Sequence, residues 1–216
     1  MTLGLTCRPA GALAAFCAAA VLANATARAA SQSGAAASAL TTEVRRAFTI
    51  HGKPIPPEIF RDFGDGDLAD SGSIWVTVDL EAATGSNLYA DDIKQDNGWV
   101  AQPKANQSID SAEQTDYKYI GATANGLMVA IASYSGGGSG TFYTLHIMDV
   151  AAAKAFDLDG KLYDRINLTS LRSMALGDRW AGDVSISGKA VRIVTTRSGP
   201  ADSGSHTITS IIATRP

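Results

Sequence analysis

The chain has 216 residues, of which 45% are hydrophobic, 18% charged and 7% aromatic, with 21 Gly, 7 Pro and a formal net charge of −3. So few charges exclude a coiled coil or an acidic disordered tail, and glycines without a three-residue period exclude collagen-like architectures. Beyond residue 30 no apolar run approaches the length needed to span a membrane.

Residues 1–29 carry Arg8 near their start, an apolar run from Gly11 to Leu22, and then the small-residue steps Ala23-Asn24-Ala25 and Ala27-Arg28-Ala29. That order is the pattern of a secretory signal peptide, and the run lacks the amphipathic stripe of a helix belonging to the mature fold. It implies a periplasmic or secreted protein with no membrane span after cleavage. Cleavage removes Arg8 and Arg28, so the basic count falls from 18 to 16 against 21 acidic residues, a net charge of −5. The remaining basic residues are scattered, apart from Arg45-Arg46, so no nucleic-acid footprint is present. Cys7 and Cys17 leave with the same segment, which excludes disulfides, thiolate catalysis and Cys-ligated zinc in the mature chain.

Residues 30–40 are almost all Ala, Ser, Gly and Gln, too little apolar bulk to offset the entropy of ordering, and read as a flexible lead-in. Residues 41–216 then form a single β-rich domain. Phe48 to Ile50 precedes Lys53-Pro54-Ile55-Pro56-Pro57, whose prolines forbid a central strand. Ile74 to Leu80 alternates with period two and is a strand; a further strand is expected from Ser86 to Ile93, and a polar loop from Gln102 to Asp116. Lys118–Thr123 and Leu127–Tyr134 flank Asn125-Gly126 as a hairpin, and Leu127 to Ala132, apolar on both faces, belongs in a central strand. A looser hairpin follows through Ser135 to Gly140 into Thr141–Val150. Asp164 to Leu176 spaces Ile166, Leu171 and Met174 as a short helix would, with Gly177 as its stop. Val184–Ile186 and Ala190–Thr196 flank Ser187-Gly188-Lys189 as a third hairpin, and Thr207 to Thr214 is a last strand. The expected fold is mostly β: an antiparallel sandwich or open barrel built from hairpins, with one or two short helices.

The stretch Gly137-Gly138-Ser139-Gly140-Thr141-Phe142-Tyr143-Thr144-Leu145, followed by Leu176-Gly177-Asp178-Arg179 and by Val184 to Ile193, resembles a group of uncharacterised secreted bacterial proteins. They share a Gly-Ser-Gly-Thr-Phe strand and a later Leu-Gly-Asp-Arg turn, over about a third of this chain. The resemblance implies a secreted β protein and carries no activity with it.

Chemistry-bearing motifs are sparse. In Asp62-Phe63-Gly64-Asp65-Gly66-Asp67-Leu68-Ala69-Asp70, the carboxylates of Asp65, Asp67 and Asp70 form a candidate calcium ligand set. Ala69 stands where a third alternating acid belongs and no bidentate Glu follows, and a surface turn uses the same residues. Asp157-Leu158-Asp159-Gly160 reads as a turn. The glycine loop at 136–140 lacks the Lys and following helix of a phosphate cradle. His51, His146 and His206 are far apart and outside any zinc pattern, and Ser139 lies in no nucleophile elbow. Trp75, Trp99 and Trp180 are candidates for a sugar-stacking platform, with core or rim packing as the default. The leading expectation is an exported non-catalytic domain that binds a small ligand, an envelope component or a protein. The alternatives are a hydrolase assembled from dispersed groups such as His146, His206 and loop carboxylates, and a calcium-stabilised structural module.

Overall fold

The computed structural model describes residues 34–63, 76–85, 93–101, 113–196 and 206–213. Helix α1 occupies 34–47, followed by strands β1 (Thr49–Ile50) and β2 (Lys53–Pro54), helix α2 (Ile59–Asp62), strand β3 (Val76–Asp79) and helix α3 (Leu80–Gly85). Then come β4 (Lys94–Asp96), β5 (Trp99–Ala101), β6 (Glu113–Ala122), β7 (Met128–Gly136), β8 (Phe142–Phe156), β9 (Leu162–Asp178), β10 (Gly182–Ser187), β11 (Ala190–Thr196) and β12 (His206–Ile212). The strands pair antiparallel into a seven-stranded sheet, β3-β9-β8-β7-β6-β5-β4, a three-stranded sheet, β10-β11-β12, and the small β1-β2 ribbon.

The large sheet has core on both faces. Met128, Ala130 and Ala132 of β7 join Met148, Val150, Ile166 and Leu168 beneath α1, the β1-β2 ribbon, α2 and α3. Leu127, Val129 and Ile131 point the other way, with Leu145 and Ile147, against Val184, Val191, Ile193 and Ile211 of the small sheet. A strand buried on both faces must be apolar at successive positions, which is why 127–132 lacks polar alternation. The mostly β antiparallel fold expected from the sequence is therefore present, as an open sandwich with a helical layer on its outer face.

Three expectations require correction. The segment Asp164–Leu176 is not a helix but lies within β9. Opposite β8, Ser170 pairs with Met148 and Arg172 with Ile147, so Leu171 is an extra residue; Leu176 is likewise extra between Ala175 and Gly177. Each bulge shifts the alternation by one, so Ile166 and Leu168 face the first core while Leu171, Met174 and Leu176 face the second. The resulting spacing imitates a helical stripe, and Gly177, at φ 108°, serves the second bulge rather than a helix end. Residues 34–40, expected in a flexible lead-in, form the first half of α1. Ala is the best helix former, and Ala37, Thr41 and Val44 give one buried stripe that ends on Phe48. Glu113 to Asp116, expected in a loop, open β6.

The hairpins at Asn125-Gly126 and Ser187-Gly188-Lys189 are present. In the first only Gly126 takes a positive φ, 79°, and Thr123 closes the loop through its N–H to the Leu127 carbonyl at 2.8 Å. Asp157 makes the turn expected of it: its Oδ1 accepts the N–H groups of Asp159 and Lys161 at 3.0 and 2.8 Å.

Candidate binding groove

Two short hairpins stand beside β6 and form the walls of a groove. Ile50 pairs with Lys53 across His51-Gly52, and Asp96 pairs with Trp99 across Asn97-Gly98. All four turn residues have positive φ, 52° and 74° in the first turn and 50° and 80° in the second. Both are thus two-residue turns of the type whose twist matches the strands, and Asn-Gly is the preferred sequence for it. This hairpin is missing from the elements expected from the sequence, although Asn97-Gly98 ahead of Trp99-Val100 could have revealed it.

The helical wall rests on Phe48. Its N–H donates to the Val44 carbonyl at 2.9 Å and its φ is 55°, so it closes α1 in the left-handed conformation that usually falls to glycine. The strain is offset by burial of the ring, which stacks on Tyr119 (5.2 Å, 14°) and meets Tyr117 edge-on (5.2 Å, 76°). Glu43 of α1 ties the ribbon in place: its Oε1 accepts from the Gly52 N–H and the Thr49 hydroxyl, each at 2.8 Å. The Gly52 bond chiefly holds the Glu43 carboxyl below the usual range. His51 Nε2 lies 3.0 Å from both Glu81 carboxylate oxygens, linking the same turn to α3.

The groove encloses about 470 Å³. Ala47, Phe48, Thr49 and Pro54 form one wall, β4–β5 residues from Gln95 to Val100 the other, and Tyr117 and Tyr119 the base. Tyr117 donates its hydroxyl to the Ile55 carbonyl at 2.8 Å, and Tyr119 donates to the Arg45 carbonyl. Burial pushes Tyr119 up to about 12 and Tyr117 further in the same direction, so both stay neutral with their hydroxyls committed to backbone. Gln95, Asp96 and Asn97 are exposed at the mouth and provide its polar groups.

The other candidates distribute as follows. Asp65, Asp67 and Asp70 lie outside the described residues, as does Trp75. Among the described residues no three His, Cys, Asp or Glu side chains gather as a metal site. His146 is buried in β8 against the rings of Phe60 and Phe63, 5.1 and 5.8 Å away, and among the described residues its Nδ1 has no hydrogen-bond partner. Burial lowers its pKa to about 4, so it is neutral at pH 7. It is held in the central sheet, while His51 sits on the β1-β2 turn and His206 begins β12. Trp99 and Trp180 come together on either side of Tyr143, at 6.2 and 6.1 Å, but with ring planes inclined by 75° and 50°. Rings so inclined close the end of the second core and offer no flat platform. Ser139 lends its carbonyl to Arg179, whose Nη2 lies 2.7 Å away. The Asp178 carboxylate accepts the Thr141 N–H at 2.8 Å, so the glycine loop and the Leu-Gly-Asp-Arg turn form one cross-strand unit.

No family model matches the chain, and no curated protein or solved structure matches it. No helix among the described residues is long and apolar enough to cross a membrane.

Proposed function

We propose that the chain is an exported, non-catalytic binding domain and that its ligand occupies the groove between the β1-β2 ribbon and the β4-β5 hairpin. The signal-like composition of residues 1–29 supports export. The observation that carries the binding reading is the groove itself: about 470 Å³, within the usual range of about 300–1,000 Å³ for small-molecule sites, with an aromatic base and a polar mouth. Its base is neutral, because both tyrosine hydroxyls are spent on carbonyls, and among the described residues Asp96 is the one carboxylate in its lining. The fit is to an uncharged amphipathic molecule, its apolar face towards Tyr119 and its hydrogen-bonding groups towards Gln95 and Asn97.

The test is a thermal melt against a panel of uncharged aromatic amides, polyols and short amphiphiles, repeated with Ala47→Trp. Ala47 is exposed at the end of α1 and lines the groove, so the larger ring fills the site without disturbing the core. A ligand at a hundred times its dissociation constant adds about 2.7 kcal/mol to the parent protein and nothing to the variant. A panel without a binder, or a rise that survives Ala47→Trp, counts against the reading.

A further inference from the structure

We propose that two copies of this chain associate through β12, pairing antiparallel about a two-fold axis at Ser210 and joining their three-stranded sheets into one of six strands. Among the described residues β12 pairs with β11 on one side only. The Ala213 N–H donates to the Lys189 carbonyl at 2.9 Å, which fixes the alternation along the strand. Residues 207, 209 and 211 direct their backbone groups to β11, and Ile208, Ser210 and Ile212 direct theirs to the free edge. Those N–H and C=O groups are a template for one more strand.

The sequence of this edge is self-complementary. With Ser210 opposite Ser210 of the second copy, Ile208 falls opposite Ile212 in both directions, and every outward N–H meets an outward carbonyl. Ile208 and Ile212 are 55% and 68% exposed in the single chain, and the pairing brings them side by side on one face. Ile211 is buried on the opposite face, whereas Thr207 and Thr209 on that face are exposed, so the start of β12 stands clear of the large sheet.

The other described sheet edges carry protection that β12 lacks. β4 is three exposed residues with a Lys and an Asp, β3 is four residues running directly into α3, and β10 bears Gly182 and Asp183. From Thr207 to Ile212 the edge has no charge, proline or glycine. The occupant this pattern favours is a strand of the same uncharged, alternating kind, and a second copy supplies it.

The test is sedimentation equilibrium of the full chain over a wide concentration range, alongside Ser210→Pro. The Ser210 N–H points away from β11, so proline removes a bond at the axis and leaves the β11–β12 ladder intact. The result expected is a concentration-dependent species of twice the chain mass that Ser210→Pro abolishes at unchanged circular dichroism. Ile208→Arg combined with Ile212→Arg, both outward-facing, gives the same loss if the proline variant fails to fold. In a chain carrying Cys7→Ser and Cys17→Ser, Ser210→Cys yields a covalent dimer on mild oxidation. A parent protein that stays monomeric overturns the proposal, including one that instead takes up an unrelated extended peptide at β12. A dimer indifferent to the folded variants overturns it as well.

Discussion

The two faces of the seven-stranded sheet are covered by different means. On one face a regular three-stranded sheet lays Val184, Val191, Ile193 and Ile211 over β7 and β8. On the other the cover is piecemeal: α1, a two-residue ribbon, the four-residue α2 and the six-residue α3. A hydrogen-bonded sheet satisfies its own backbone and closes smoothly over its partner. A cover made of short pieces leaves joints, and the groove is one of them, between the ribbon and β4–β5. It also carries strain, in the left-handed Phe48, and it lies over a buried polar atom of the sheet, Nδ1 of His146 on β8, for which the described residues supply no hydrogen bond. The difference teaches that the β cover is the regular scaffold, whereas the piecemeal cover leaves the joint in which the proposed ligand would sit.

The largest way to break this contrast is at Phe48. Phe48→Ala removes a buried ring and is expected to cost about 3–5 kcal/mol in chemical denaturation. Phe48→Gly loses the same ring but relieves the left-handed backbone, so it should be more stable than the Ala variant by about 1 kcal/mol. Equal stabilities would show that the φ of 55° carries no strain.

Acid should act where this cover meets the sheet, at His146 of β8 beneath Phe60 and Phe63. His146 titrates near 6.5 when unfolded and at about 4 when folded. Between those values the unfolded chain holds the extra proton, so stability falls as the pH drops from about 6.5 to about 4, by roughly 3 kcal/mol in all, and levels off below. His146→Leu removes that slope; denaturation midpoints measured across the window check it, and an unchanged slope would place the acid sensitivity elsewhere.

Smaller effects sharpen the comparison. Ile193→Val in the β cover is expected to cost about 0.5–1.5 kcal/mol and to leave ligand-induced stabilisation at the groove unchanged. Gly98→Ala forces a side chain onto a φ of 80° and should cost about 1 kcal/mol while weakening ligand binding through the β4–β5 wall. Calorimetry of both variants with the same ligand separates the two faces.

The β cover and the central strand were legible in the sequence because their patterns are undisturbed: continuous apolar residues at Leu127–Ala132, and alternation about Gly188 in β10–β11. β9 was not, because its bulges at Leu171 and Leu176 move apolar residues between faces and turn a period of two into an apparent helical spacing. α1 was obscured by an Ala and Ser composition that suits a loose linker as well as a helix, although Ala37, Thr41, Val44 and Phe48 hold the helical spacing. The groove is legible only at Asn97-Gly98; its aromatic base depends on contacts between Phe48 and the β6 tyrosines, more than sixty residues apart in the chain. The calcium set Asp65, Asp67 and Asp70 lies outside the described residues.

The most direct measurement is amide chemical-shift mapping by NMR with the best ligand from the panel of uncharged molecules. The account predicts saturable shifts confined to residues 47–54, 95–100 and the Tyr117–Tyr119 segment, with the β10–β12 amides unmoved. Shifts that cluster instead around Tyr143 and Trp180, or along the small sheet, would contradict it.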